Sequence, residues 1–274
     1  MRVLSLFDGI SCARVAVGEC EYFACEIDKY AIQVSKSNFP DIVHLGDVKT
    51  AILPKDIDLL IGGSPCTDLS IAKKDRKGLE GIHSRLFWEY VRVLKEIKPK
   101  WFILENVASM PNKDKDIITK ALGVEPIMIN AALVSAQSRK RLFWTNIPVE
   151  GLPEDKGIML KDILEDVEGQ IKPMTTIKPK GNDFKQIGYL GSKNSGVGGQ
   201  ALRVYDPEYK APTSGVGLYK IKETIRRLTP LECERLQSLP DNYTSGISNT
   251  QRYKCLGNAF NVEVIKFILS FIPN

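Results

Sequence analysis

Apolar residues gather into short runs, each about the length of one strand, at positions 3–7, 22–27, 57–61, 101–104, 127–134 and 141–144. Helix-like stretches separate most of them. Strands alternating with helices predict an α/β fold built on a mostly parallel, doubly wound sheet. The clearest helix runs from residue 84 to 97, where Phe87, Tyr90, Val91 and Leu94 fall at i, i+3, i+4 and i+7 and make one apolar stripe. Pro99 closes it.

The texture changes from about Asn146. Residues 181–217 hold 8 of the 21 glycines, with lysine and polar residues between them, and only positions 202–205 look like a strand. A small loop-rich domain is expected there. Order resumes at Thr229, where the sequence TPLE reads as a capping box with proline at the first helical position, opening a helix to about Leu239. A final apolar helix is expected from about Asn258 to Ile272. The resulting division is 1–145, 146–225 and 226–274, with the last helix returning to the first domain.

Composition narrows the class. With 274 residues, 43% hydrophobic and 26% charged, the chain lies in the globular range, and disordered, collagenous and coiled-coil chains are excluded. Its net charge of +5 is too small to name a partner. The distribution says more: residues 172–227 carry 11 basic and 4 acidic side chains, a local +7 that leaves about −2 for everything else. Six cysteines and two histidines (His44 and His83) show no CxxC pair or metal-ligand spacing, so no metal is expected and a reduced intracellular chain is the simpler reading. No apolar stretch approaches the ~18 residues of a membrane span, which predicts a soluble, cytoplasmic protein.

Chemistry-bearing residues sit where strands end. The first run ends in Phe7, Asp8 and Gly9, and the second in Glu26, Ile27 and Asp28. An acidic residue about 20 positions after a glycine turn commonly holds ribose hydroxyls, but FDGISC is not a GxGxxG phosphate cradle. A nucleoside cofactor without a pyrophosphate therefore fits better than a dinucleotide. IDLLIGG runs into Ser64, Pro65 and Cys66, placing a cysteine in a fixed loop where local amides and a nearby cation could make it a thiolate nucleophile. WFILEN ends in Glu105 and Asn106, a carboxylate at the same sheet edge. QSRKR sets Arg139 and Arg141 at strand alternation, pointing the same way. Each feature also has a plain structural reading: a strand-to-helix turn, a solvated cap, an inert thiol, a solvated basic turn.

The ordered set FDGIS, EID, Gly46–Asp47, GGSPCTDLS, ENV, QSRKR, RRLTPLECERLQSLP and GNAFNVEV resembles the DNA (cytosine-5)-methyltransferases and spans nearly the whole chain. FDGI, GGSPCTDLSIAKKDRKGL and RLFWEYVRVLK are most similar to the animal de novo type, whereas RVYDPEYKAPT is more like bacterial and phage restriction-modification members. The resemblance implies a Rossmann-like fold dependent on S-adenosylmethionine, with S-adenosylhomocysteine as product, acting on a cytosine flipped out of double-stranded DNA. Cys66 would add to carbon 6, Glu105 would stabilise the ring at N3, Arg139 would hold the base carbonyl, and Arg141 would support the Cys66 or Glu105 loops. Phe7 would stack on adenine, Asp8, Gly9, Ile10 and Cys12 would meet the methionine end, Glu26 the ribose, and Asp47 the adenine amino group. Ile27, Val48, Pro65, Leu86, Asn258 and Phe260 would complete the pocket. Many members carry further glycines where this chain has Ser11 and Cys12, a change similar to one in the de novo type, so at most a weakening of cofactor binding is expected.

The basic segment falls where this family carries its target recognition domain, with candidate readers around 194–203 and a recognition sequence of about two to four base pairs. A monomer is expected, located at the nucleoid if the source is a bacterium or phage. The competing readings are a transfer-RNA cytosine methyltransferase, whose CFT signature is absent here, and an inactive DNA-binding regulator of the same fold.

Overall fold

Five parallel strands form the spine of a seven-stranded sheet: β1 (Arg2–Leu6), β2 (Glu21–Cys25), β3 (Val43–His44), β4 (Leu59–Gly63) and β5 (Trp101–Val107). The computed structural model describes residues 1–65, 85–172, 174–190, 203–212 and 217–273. Spatial order is β3-β2-β1-β4-β5-β7-β6, where β6 is Ile127–Asn130 and β7 is Lys140–Thr145. Strand β7 runs antiparallel to β5, pairing Glu105 with Phe143 and Val107 with Arg141. The order reverses between β1 and β4, so the crevice at their carboxyl ends is the topological switch point where open α/β sheets bind ligands.

Helices α1 (Cys12–Val17), α2 (Lys29–Asn38), α3 (Leu86–Ile97) and α4 (Asn112–Leu122) alternate with these strands. Phe87, Tyr90, Val91 and Val93 of α3 are buried with Leu4, Leu6, Leu60 and Leu104, so the apolar stripe does face the sheet. Close packing fixes Gly62: a Cβ there would stand 2.8 Å from the Leu6 carbonyl oxygen and 3.2 Å from the Tyr90 ring. Ser84, the expected start of α3, lies outside the described residues.

By contacts the chain forms two units, Met1–Ile129 with Lys140–Leu152 and Val264–Asn274, and Asn130–Arg139 with Pro153–Glu263. The second holds a five-stranded sheet ordered β12-β11-β10-β9-β8, made of β8 (Met174–Lys180), β9 (Gln186–Leu190), β10 (Arg203–Tyr205), β11 (Leu218–Ile221) and β12 (Thr224–Arg226). Within the segment expected to be loop-rich, 181–217, the described residues include β9 and β10, the latter on the strand expected at 202–205. Strands β8 and β9 give no apolar run in the sequence, because β8 reads MTTIKPK, with most positions exposed, and β9 contains Gly188, where a Cβ would come within 2.7 Å of Met174. Among the described residues, Val204, Leu218 and Ile225 form the buried apolar cluster of this sheet.

Helix α5 (Pro230–Leu236) begins with the expected capping box: Thr229 Oγ1 accepts from the Glu232 N–H at 3.1 Å, and Glu232 Oε2 from the Thr229 N–H at 2.7 Å. The terminal helix expected from about Asn258 to Ile272 is α7 (Val262–Leu269), and a further helix not expected from the sequence, α6 (Asn249–Asn258), precedes it. Ala259 is extended (ψ 154°), and Asn261 Nδ2 donates to the Leu236 carbonyl at 3.0 Å, which breaks the run. Among the described residues, no helix is long and apolar enough to cross a membrane.

Candidate active site

The turn after β1 is unusually left-handed: Phe7, Gly9 and Ser11 have φ of 57°, 59° and 61°. Non-glycine residues adopt this region at a cost of about 1–2 kcal/mol, so the turn must be held by its contacts. Three hold it. The Gly9 N–H donates to Glu26 Oε2 at 2.7 Å, the Tyr22 hydroxyl to Asp8 Oδ1 at 2.7 Å, and the Ser11 hydroxyl to Asp8 Oδ2. Ser11 Oγ also lies 2.6 Å from Ser35 Oγ, which is 3.3 Å from His44 Nε2. Burial pushes the Asp8 carboxyl above its ordinary value, against the hydrogen bonds that favour the carboxylate.

These contacts show which groups of the turn are open to a ligand. Asp8 is buried with both oxygens engaged, and the side chains of Ile10, Cys12 and Val48 are almost fully buried. They face the interior. Phe7 is half-buried, Ile27 is 72% exposed, and a Cβ at Gly9 would meet nothing within 4 Å, so open space lies above the turn. Glu26 Oε1 accepts the N–H groups of Ile27 at 2.7 Å and Asp28 at 2.8 Å, so with Gly9 three of about four acceptor positions are filled. Asp47 Oδ1 accepts the Lys49 N–H at 3.0 Å. The donor set suits a nucleoside and not a pyrophosphate, because Gly9 gives its N–H to a carboxylate and the neighbouring side chains are acidic.

Strand β4 delivers Ser64 and Pro65 to the same edge, and its Gly63 pairs in register with Glu105 of β5. Arg141 Nε lies 2.8 Å from Glu105 Oε1, with both side chains largely buried. Asn106, fully buried, donates to the Ser64 hydroxyl at 3.1 Å and carbonyl at 3.3 Å. Leu86, half-buried, opens α3. Cys66 lies outside the described residues.

In the second unit, the Arg139 guanidinium donates to the carbonyls of Gly257 at 3.3 Å and Ala259 at 2.9 Å, gripping the turn that carries exposed Asn258 and buried Phe260. The expected alternation of Arg139 and Arg141 fails for a simple reason. Strand β7 starts at Lys140, so only Arg141 lies in it.

A family model described as C-5 cytosine-specific DNA methylase matches residues 1–150 and 155–274. The chain belongs to that family. It is 32% identical to the type II methyltransferase M1.ScrFI of Lactococcus lactis subsp. cremoris, covering 97% of this chain and 76% of that one. It is 30% identical to the type II methyltransferase M.HpaII of Haemophilus parainfluenzae, over 96% of this chain and 86% of that one. A DNA modification methyltransferase candidate encoded within an E. coli prophage shares the fold, with TM-score 0.71 at 22% identity, covering 99% and 98% of the two chains.

For a C-5 cytosine methylase, sequence reading alone missed several supports of the site. Asn106, Tyr22, Ser35 and Asn130 hold loops and turns without lying in any expected pocket. Asn106 carried one signal, as an amide inside the apolar run of β5 on the face opposite Glu105. Tyr22 and Ser35 carried none, because single hydroxyls in a strand and a helix are ordinary.

Proposed function

We propose that this methylase transfers a methyl group to carbon 5 of a cytosine flipped out of double-stranded DNA, with Cys66 as covalent nucleophile. The observation that carries the reading is the Glu105–Arg141 pair, 2.8 Å apart at the carboxyl end of β5, beside the strand that leads to Pro65 and Cys66. S-adenosylmethionine, when bound, supplies an electrophilic methyl group and leaves as S-adenosylhomocysteine. Phe7 offers it an aromatic face, Glu26 one remaining acceptor position for a ribose hydroxyl, and Asp47 a carboxylate oxygen for the adenine amino group.

Carbon 5 of cytosine is a weak nucleophile until the ring is activated. The Cys66 thiolate forms a bond to carbon 6, and the displaced electron pair enters the ring toward N3. Glu105 meets that charge with a hydrogen bond at N3, where a preorganised group needs no reorientation. Once carbon 5 has used that electron pair to take the methyl group, loss of its proton to water returns a pair to the ring, and the carbon–sulfur bond breaks to regenerate the thiolate. Arg141, which fixes Glu105, takes the base-carbonyl contact first expected of Arg139. Arg139 instead sets the turn bearing Asn258. The sheet of β8 to β12, inside the +7 segment, serves as the target recognition domain, and the protein works as a cytoplasmic monomer.

One assay tests this reading: methyl-labelled S-adenosylmethionine with either duplex DNA or transfer RNA, and Cys66→Ser as control. Label is expected in DNA and lost in the variant. Label in DNA that survives Cys66→Ser would overturn the covalent mechanism, and label in RNA alone would overturn the DNA assignment.

A further inference from the structure

The segment that carries Arg139 is laced to the basic sheet unit by a set of contacts that none of the expected roles includes. Asn130 is their hub: its Oδ1 accepts the N–H groups of Ala132 at 3.2 Å and Arg139 at 2.8 Å, and its Nδ2 donates to Asp183 Oδ2 at 3.0 Å. Ser138, next to Arg139, donates its hydroxyl to the same oxygen at 2.8 Å. Asp183 lies in the turn between β8 and β9, and its carbonyl accepts the Lys210 N–H at 3.0 Å. Backbone contacts continue the lacing: Ala211 N–H to the Ala136 carbonyl at 2.7 Å, and Ser138 N–H to the Ala211 carbonyl at 2.8 Å.

An amide side chain can be turned either way, and only its partners decide which end accepts. A carboxylate on the Nδ2 side fixes Asn130 with its oxygen toward the Arg139 N–H. We propose that Asp183 is a positioning residue: by orienting Asn130 and holding Ser138, it sets the backbone of Arg139 and thereby ties the β8–β9 hairpin to the arginine segment. Force on the hairpin, as when nucleic acid engages the sheet, then reaches Arg139 through two hydrogen bonds. The catalytic consequence rests on the methyltransferase reading above; the geometric consequence does not.

Asp183→Ala removes the acceptor, whereas Asp183→Asn keeps an oxygen that both donors can use. Amide hydrogen exchange of residues 131–139 is the first readout. Asp183→Ala should raise exchange at Arg139 at least tenfold, Asp183→Asn should restore most of the protection, and residues 1–38 should be unchanged in both. Methyl transfer to duplex DNA is the second. Its kcat should fall about tenfold in Asp183→Ala with KM for the methyl donor unchanged. Adding Asp183→Ala to Asn130→Ala should cost less than the tenfold it costs alone, because the part of its action that runs through Asn130 is already lost. Unchanged exchange at Arg139 in Asp183→Ala, or fully multiplicative loss of rate in the double variant, would overturn the inference. A wild-type chain that transfers no methyl group would overturn the methyltransferase reading, and the exchange experiment would still decide this one.

Discussion

Asn106 holds Ser64: one fully buried amide on β5 donates to the hydroxyl and carbonyl oxygens of the residue where β4 gives way to the Pro65 loop. Its Oδ1 accepts the Val107 N–H at 2.8 Å, so every part of the amide is used. Glu105 and Asn106 alternate across the strand, one toward Arg141 and the other toward Ser64. Asn106→Ala should destabilise the protein by about 1–3 kcal/mol, the usual penalty for leaving buried polar groups unpaired. Its rate loss should exceed what the unfolded fraction explains, because the loop leading to Cys66 loses an anchor. Urea denaturation and single-turnover methyl transfer on the same preparation check both. A variant with the expected loss of stability but normal turnover would show that Asn106 supports the fold and not the loop.

Ser11 departs from the glycine expected of many relatives, and the structure shows where its side chain goes. It is fully buried, bonded to Asp8 and Ser35, and directed away from the open space over Gly9. Two substitutions separate its opposing contributions. Ser11→Ala keeps the left-handed strain and loses both hydrogen bonds, so a destabilisation of about 2–3 kcal/mol is expected. Ser11→Gly loses the same bonds but relieves about 1 kcal/mol of strain, so it should cost less. Thermal unfolding of the two variants gives the order. If alanine were the milder change, backbone strain would not be a major term at this turn.

The difference between what was legible and what was not follows from the kind of signal each element gives. The parallel strands and α3 announce themselves because burial demands apolar runs, and Thr229 with Glu232 declares a helix start because a cap needs those residue types at that spacing. Strands β8 and β9 gave no such signal, since a small sheet with one thin buried face tolerates MTTIKPK and a glycine. Among site residues, Glu105 and Glu26 were legible as carboxylates at strand ends. Arg141 was expected beside the Cys66 or Glu105 loops only through the family resemblance; the residue pattern alone did not separate it from Arg139, because the difference turns on a strand boundary at Lys140 that the pattern does not mark.

Arg226 and Glu232 form a two-pronged pair with N–O distances of 2.6 and 2.7 Å, Glu232 being fully buried. The same carboxylate caps α5 through the Thr229 N–H and accepts the Glu165 N–H at 2.8 Å. Removing one partner leaves a buried charge without compensation. Glu232→Ala should therefore cost about 3–5 kcal/mol, and Glu232→Gln less, because it retains an acceptor and removes one charge. Differential scanning calorimetry measures both. Equal melting temperatures for the two variants would mean that the charge of Glu232 paired with Arg226, and not its hydrogen bonds at the helix start, supplies most of the stabilisation.

His44 gives a dependence of stability on pH whose direction is fixed by its surroundings. Burial, with Lys36 nearby, lowers its value below the ordinary 6.5, and Glu26 opposes this only in part. Its Nε2 faces Ser35 Oγ, and Nδ1 is buried with no hydrogen-bond partner among the described residues. The folded chain thus prefers the neutral ring and binds fewer protons than the unfolded chain between the two values. Stability contributed by His44 is fully present above pH 6.5 and is lost as pH falls through the depressed folded value. Melting temperature should accordingly drop between pH 7.5 and 5.5 more steeply in the wild type than in His44→Gln, whose side chain cannot titrate. The two curves should run parallel above pH 7. Parallel decline across the whole range would assign the acid sensitivity to other groups.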